Sequence, residues 1–191
     1  MREVSYCGKP PPAIMRKAGI VTACPERKKV ACENQGTANL MKQADDRHWM
    51  QQALHVAEEA AEMGEVPVAC LITFEDKIIG RAHNLRETKK DPTAHAEMLA
   101  LHQAAEEIGD WRLNGTTVYC TLEPCCMCAG ALINARVDRL VFGLSDPKSG
   151  ACGSVVNLLD LPELNHRVEF HGGVLADEVL ELMRSFFRSR R

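Results

Sequence analysis

Thr116-Thr117-Val118-Tyr119-Cys120-Thr121-Leu122-Glu123-Pro124-Cys125-Cys126-Met127-Cys128 reads as a strand that runs into the start of a helix. β-Branched and aromatic residues up to Thr121 suit an extended segment, and Pro124 stands just ahead of a helix expected over 125–135. A strand over 139–143 follows. Working outward, Asp45 or Asp46 can cap a helix in which Trp49, Ala53, Val56, Ala60 and Met63 share one face, and Gly64 stops it. Residues 66–74 read as a buried strand, Glu75-Asp76-Lys77 as a turn, and 78–84 as the hairpin partner. A helix over 94–108 ends at Gly109. Beyond 143 come a Gly/Ser/Lys-rich loop (145–154), a short strand near 168–171 and a closing helix over 177–188. This order predicts an α/β fold, a mixed sheet with helices on both faces, whose sites lie where helices start after strands.

Both such starts carry chemistry. His95, Cys125 and Cys128 supply one imidazole and two thiolates, the ligand types that zinc prefers. Three protein ligands leave the fourth tetrahedral position for water, whose pKa on zinc falls to about 7. Glu97, two residues after His95, can take that water's proton and pass it to a substrate, as general base and then general acid. A lone Cys-x-x-Cys could be a redox pair or a structural half-site, and a lone His-x-Glu carries less still. The ordered combination points to a catalytic metal site. Cys126, adjacent to Cys125, reads as a small buried or pocket-lining residue.

His-x-Glu followed by Pro-Cys-x-x-Cys resembles the signature of the cytidine deaminase superfamily, whose zinc chemistry is well described. Asp91-Pro92-Thr93-Ala94-His95-Ala96-Glu97, Thr121 to Ala131, Asn165-His166-Arg167-Val168 and Phe186-Phe187-Arg188 resemble the bacterial tRNA-specific adenosine deaminases within it. The likeness runs from about Asp45 to Arg191. It implies a three-layer α/β/α cytidine deaminase-like fold, one Zn2+ per subunit, and a homodimer. It also implies hydrolytic conversion of adenosine to inosine at the wobble position of a tRNA anticodon, with the tRNA anticodon stem-loop as partner. By resemblance, Asn84 would hydrogen-bond the nucleoside near the metal, and Asp146, Lys148 and Asn165 would contact the anticodon. The Ala96 amide is a candidate to polarise the reacting centre. A deaminase of a free base or nucleoside (cytosine, cytidine or guanine) is the alternative, and a catalytically idle zinc-stabilised subunit is a second. Intact Glu97 speaks against the idle subunit.

Charge is uneven. Residues 1–40 hold seven Lys/Arg and three Asp/Glu, leaving 16 against 23 for residues 41–191. An acidic catalytic part makes any RNA contact local, and Arg184, Arg188, Arg190 and Arg191 beside Phe186 and Phe187 suit phosphate contact with base stacking. The same residues also suit the solvated end of an amphipathic helix. Residues 1–43, with Pro10-Pro11-Pro12 and no periodic pattern, are expected to be a disordered leader or a start-site artefact, and 44–191 the deaminase domain. No stretch nears the roughly 18 apolar residues of a membrane span. Cys70, Cys120 and Cys152 in apolar contexts imply free thiols and a reducing cytoplasm.

Overall fold

The computed structural model describes residues 35–190, with side chains from Asp45 onward. The expected leader lies outside the described residues as far as Asn34. Helix α1 spans Gln35–Glu62, followed by β1 (Ala69–Phe74), β2 (Lys77–His83), the single turn α2 (Arg86–Lys89), α3 (Ala96–Ile108) and β3 (Thr117–Leu122). Then come α4 (Cys126–Asn134), β4 (Arg139–Leu144), β5 (Glu169–Gly172) and α5 (Ala176–Arg188).

The strands form one sheet in the order β2-β1-β3-β4-β5. β1 runs antiparallel to both β2 and β3, whereas β3, β4 and β5 are parallel, so the sheet is mixed. Strand side chains alternate between faces, and two apolar clusters result. Cys70, Ile72, Val118, Cys120, Leu140 and Phe142 pack beneath α3 and α4. Ala69, Leu71, Tyr119 and Val141 pack beneath α1 and α5 with Met50, Ala53, Val56 and Val179. This is the expected three-layer α/β/α arrangement. The β1–β2 hairpin turns at Glu75 and Asp76, both at positive φ (47° and 58°), as a two-residue turn between twisted strands requires. At Gly80 an added Cβ would lie 2.5 Å from the Ala100 carbonyl, so glycine lets α3 sit close on β2.

Three local expectations need correction. Asp45 and Asp46 lie inside α1 rather than capping it; Asp46 is buried and takes Arg139 Nη1 and Nη2 at 2.6 and 2.7 Å and the Tyr119 hydroxyl at 3.2 Å, tying α1 to the sheet. Met63 is 56% exposed, because the helix has ended and the chain turns at Gly64 (φ 84°). Cys126 is exposed, since the first helical residue of α4 projects about 100° around the axis from its neighbour Cys125.

Candidate active site

Two helix starts meet at the carboxyl end of β3. His95 is the N-cap residue of α3 and Cys125 that of α4; both have extended backbones, and neither side chain caps its own helix. Each is therefore free to turn toward the other. Cys128 lies one helical turn beyond Cys125. The donor atoms of His95, Cys125 and Cys128 all lie within 4.8 Å of one another. Sγ of Cys125 and Sγ of Cys128 are 3.7 Å apart, and His95 Nδ1 lies 3.9 and 3.6 Å from them. Zinc–sulfur and zinc–nitrogen bonds of about 2.3 and 2.0–2.1 Å in a tetrahedron give S···S and S···N edges of about 3.8 and 3.6 Å, so these donors fit zinc. They also share charge. A hydrogen bond from Cys128, then His95, lowers the Cys125 thiol, while the Cys125 bond and burial raise that of Cys128. The Cys125 bond raises His95 against the opposing effect of burial. A divalent cation relieves such crowding by taking the place of the protons.

Glu97, in the first turn of α3, is buried beside them. Burial raises its carboxyl above the ordinary range, against the opposing hydrogen bond of its own amide and the charge of His95. Its Oε2 is buried and accepts no hydrogen bond among the described residues. A cavity of about 170 Å³ opens onto this corner, lined by Asn84, His95, Ala96, Glu97, Cys125 and Asp146 among others. A second, of about 610 Å³, lies between the loop after β4 and α5 and shares Leu122 and Asp146 with the first. Lys148, Arg184, Phe187 and Arg188 line it.

The structure thus brings Asn84, Ala96 and Asp146 to the corner of His95, Cys125 and Cys128, and Lys148, Phe187 and Arg188 to the adjoining cavity. Asn165 lines neither of these two cavities; its Oδ1 accepts Arg136 Nη1 at 2.7 Å, past the far end of α4. The basic end of α5 is already engaged in part, for Arg188 meets Glu181 at 2.5 Å and Arg190 bonds the Gly64 carbonyl and stacks over Phe186.

Two carboxylates that sequence reasoning left without a role organise the walls. Glu123 Oε1 accepts the amides of Cys152 and Ser154, each at 3.0 Å, while Oε2 accepts the Asp146 amide at 3.0 Å and the Ser154 hydroxyl. Burial pushes this carboxyl up, but the Ser154 hydroxyl and those amides outweigh it and hold it below its ordinary value. A Cβ at Gly150 would sit 2.5 Å from the Glu123 carboxyl, so the loop closes on Glu123 only with glycine there. Glu65 does the same for the amides of Glu87 and Thr88. Their only signal in the sequence is an acidic residue set among apolar ones at a strand end.

Comparison with known proteins follows the same lines. The model of the MafB19-like deaminase family matches residues 44–191. A tRNA-specific adenosine deaminase of Bacillus subtilis is 47% identical over 146 residues, 76% of this chain and 91% of its own length. The chain belongs to the tRNA-specific adenosine deaminase family. Another member, from Haemophilus influenzae, is 46% identical over 147 residues, covering 76% of this chain and 85% of its own. Among solved structures, one from work on A-to-I editing by tRNA:A34 deaminases at the wobble position of transfer RNA superposes with a TM-score of 0.68 at 38% identity, covering 71% of this chain and 98% of that one. A guanine deaminase from Nitrosomonas europaea shares the fold, with a TM-score of 0.58 at 21% identity over 72% of this chain and 81% of that one. Among the described residues, no helix is long and apolar enough to cross a membrane.

Proposed function

We infer that this family member converts adenosine to inosine hydrolytically at the wobble position of a tRNA anticodon. One zinc ion per subunit would be held by His95, Cys125 and Cys128. The observation that carries the reading is the free, buried Oε2 of Glu97 beside three donors spaced for zinc. When bound, zinc supplies Lewis acidity that brings the pKa of a water to about 7.

The chain's own groups do the rest. Glu97 takes one proton of the attacking water and delivers it to the ring nitrogen next to carbon 6 of adenine, then moves the proton of the new hydroxyl on carbon 6 to the departing amine. Oxygen adds to carbon 6, the carbon–nitrogen bond breaks, and ammonia leaves. The Ala96 amide belongs to the first turn of α3, where N–H groups lack an intrahelical acceptor, and it would bond the reacting base. Asn84 holds the base from the facing wall. A base must leave its stack to enter a cavity this closed, and an anticodon loop allows that at modest cost.

Neighbouring nucleotides would lie in the adjoining cavity against Phe187, with Lys148 and Arg188 on phosphates and Asp146 at the boundary of the two cavities. Asn165 would meet RNA only away from the reacting base. Exposed Val155, Val156, Leu161 and Leu164 offer apolar surface for a homodimer. All six cysteines among the described residues are free thiols, in keeping with a reducing cytoplasm.

The test is to incubate purified protein with an anticodon stem-loop carrying adenosine at the wobble position, and separately with free adenosine, cytidine and guanine. Inosine from the stem-loop alone is expected. Product only from a free base or nucleoside would replace the tRNA reading with that activity.

A further inference from the structure

Glu65 is a buried charge with no part in the chemistry above. It follows the helix stop at Gly64 and has no exposed surface. A carboxylate in that position persists only when its oxygens are bonded. Oε1 accepts the Thr88 amide at 2.7 Å, and Oε2 accepts the Glu87 amide at 3.3 Å and Asn84 Nδ2 at 3.0 Å. Burial pushes the carboxyl up, but the bonds from Thr88 and Glu87 and the nearby His83 outweigh it and hold it below its ordinary value. At neutral pH it is therefore an acceptor only.

That fact sets the geometry of its neighbour. An acceptor-only partner can bind just the NH2 end of the Asn84 amide. Nδ2 is fixed toward Glu65, and Oδ1 is left without a partner among the described residues. Asn84 lines the cavity together with His95 and Glu97. A side-chain amide can be turned over at almost no change of shape, and the two orientations exchange a donor for an acceptor. The same carboxylate also seats the first-turn amides of α2, whose Arg86 lines the cavity too.

We propose that Glu65 is a positioning residue for the substrate base, acting through Asn84: it fixes which hydrogen-bonding atom of the Asn84 amide the cavity wall offers. The proposal rests on the adenosine deamination reading of this site.

Glu65→Gln keeps the shape and changes the bonding. With its oxygen on the Thr88 amide, the new NH2 faces Asn84 and turns that amide over. A double-mutant cycle with Asn84→Ala separates positioning from support. On the stem-loop, Glu65→Gln is expected to lower kcat/KM about tenfold or more in the wild-type background, and less than about twofold once Asn84 is alanine. Equal loss in both backgrounds would make Glu65 a structural residue only, and wild-type kinetics in Glu65→Gln would dismiss it altogether. A second measurement needs neither variant folding nor substrate. In the wild-type protein, the Asn84 side-chain NH2 resonances should shift in acid together with the Glu65 carboxyl. NH2 resonances unmoved through that titration would overturn the proposal, whichever substrate the enzyme turns over.

Discussion

The metal corner and the cavity under α5 lie side by side and are built in opposite ways. In the corner, His95, Glu97, Cys125 and Cys128 all come from the first turns of two helices, and Glu97 and Cys128 are buried. Within each helix start the spacing along the chain sets the spacing in space, and the sheet brings the two starts together across about thirty residues of chain. The neighbouring cavity is assembled from the loop after β4 and from α5, and no short motif links the two. Its polar and aromatic side chains Lys148, Arg184, Phe187 and Arg188 are exposed, Phe187 to 49%, and Arg188 already holds a partner in Glu181. Groups that move a proton need geometry that does not relax. Groups proposed to grip an RNA loop can be mobile and charged, because stacking and phosphate contact tolerate adjustment.

If the division is real, changes in the two regions must fail differently. The largest effect is expected from Glu97→Gln, which should lower kcat by about 10²- to 10⁴-fold, the usual worth of a positioned acid–base group, while metal analysis still finds zinc bound. Zinc lost along with activity would show that Glu97 holds the metal corner together rather than serving its chemistry. Next, Phe187→Ala should raise KM for the stem-loop by roughly 5- to 150-fold, the equivalent of about 1–3 kcal/mol of base stacking, with kcat little changed. A fall in kcat at constant KM would merge the two regions into one. The smallest effect concerns stability in acid. Glu65 is held below its ordinary value when folded, so the stability it contributes is present above the unfolded value of about 4.3 and is lost as pH falls through the lower folded one. Urea unfolding from about pH 7 to about pH 3 should therefore show a flatter acid limb for Glu65→Gln than for wild type. An equally steep limb would place the acid loss on other carboxylates.

Much of the fold was legible because its signals are local. Gly64 and Gly109 both stop helices at positive φ, Glu75-Asp76 turns the hairpin, and α4 starts just past Pro124. The start of α1 departs from its sequence pattern for an equally physical reason. Asp46 has the residue type of a cap, yet it is buried, and a half-buried partner, Arg139, lies 93 residues away and claims its carboxylate. Met63 continues the apolar spacing of α1 but falls where the helix has ended. The single turn of α2 escaped notice because four polar residues show no period, and what seats it is Glu65.

The sequence by itself determined the candidate set: an imidazole, two thiols and a carboxylate on two helix starts, whose offsets of two and three residues fix their directions within each helix from the backbone alone. Only the tertiary structure decided what brings the two helix starts together and walls the cavity beside them. Glu65 finds Asn84, Glu87 and Thr88 at separations of 19 to 23 residues, and Glu123 finds Asp146, Cys152 and Ser154 at 23 to 31. Those partners are largely backbone amides, which every residue carries, so no side-chain pattern announces them. The path of the chain around the sheet edge selects which amides arrive.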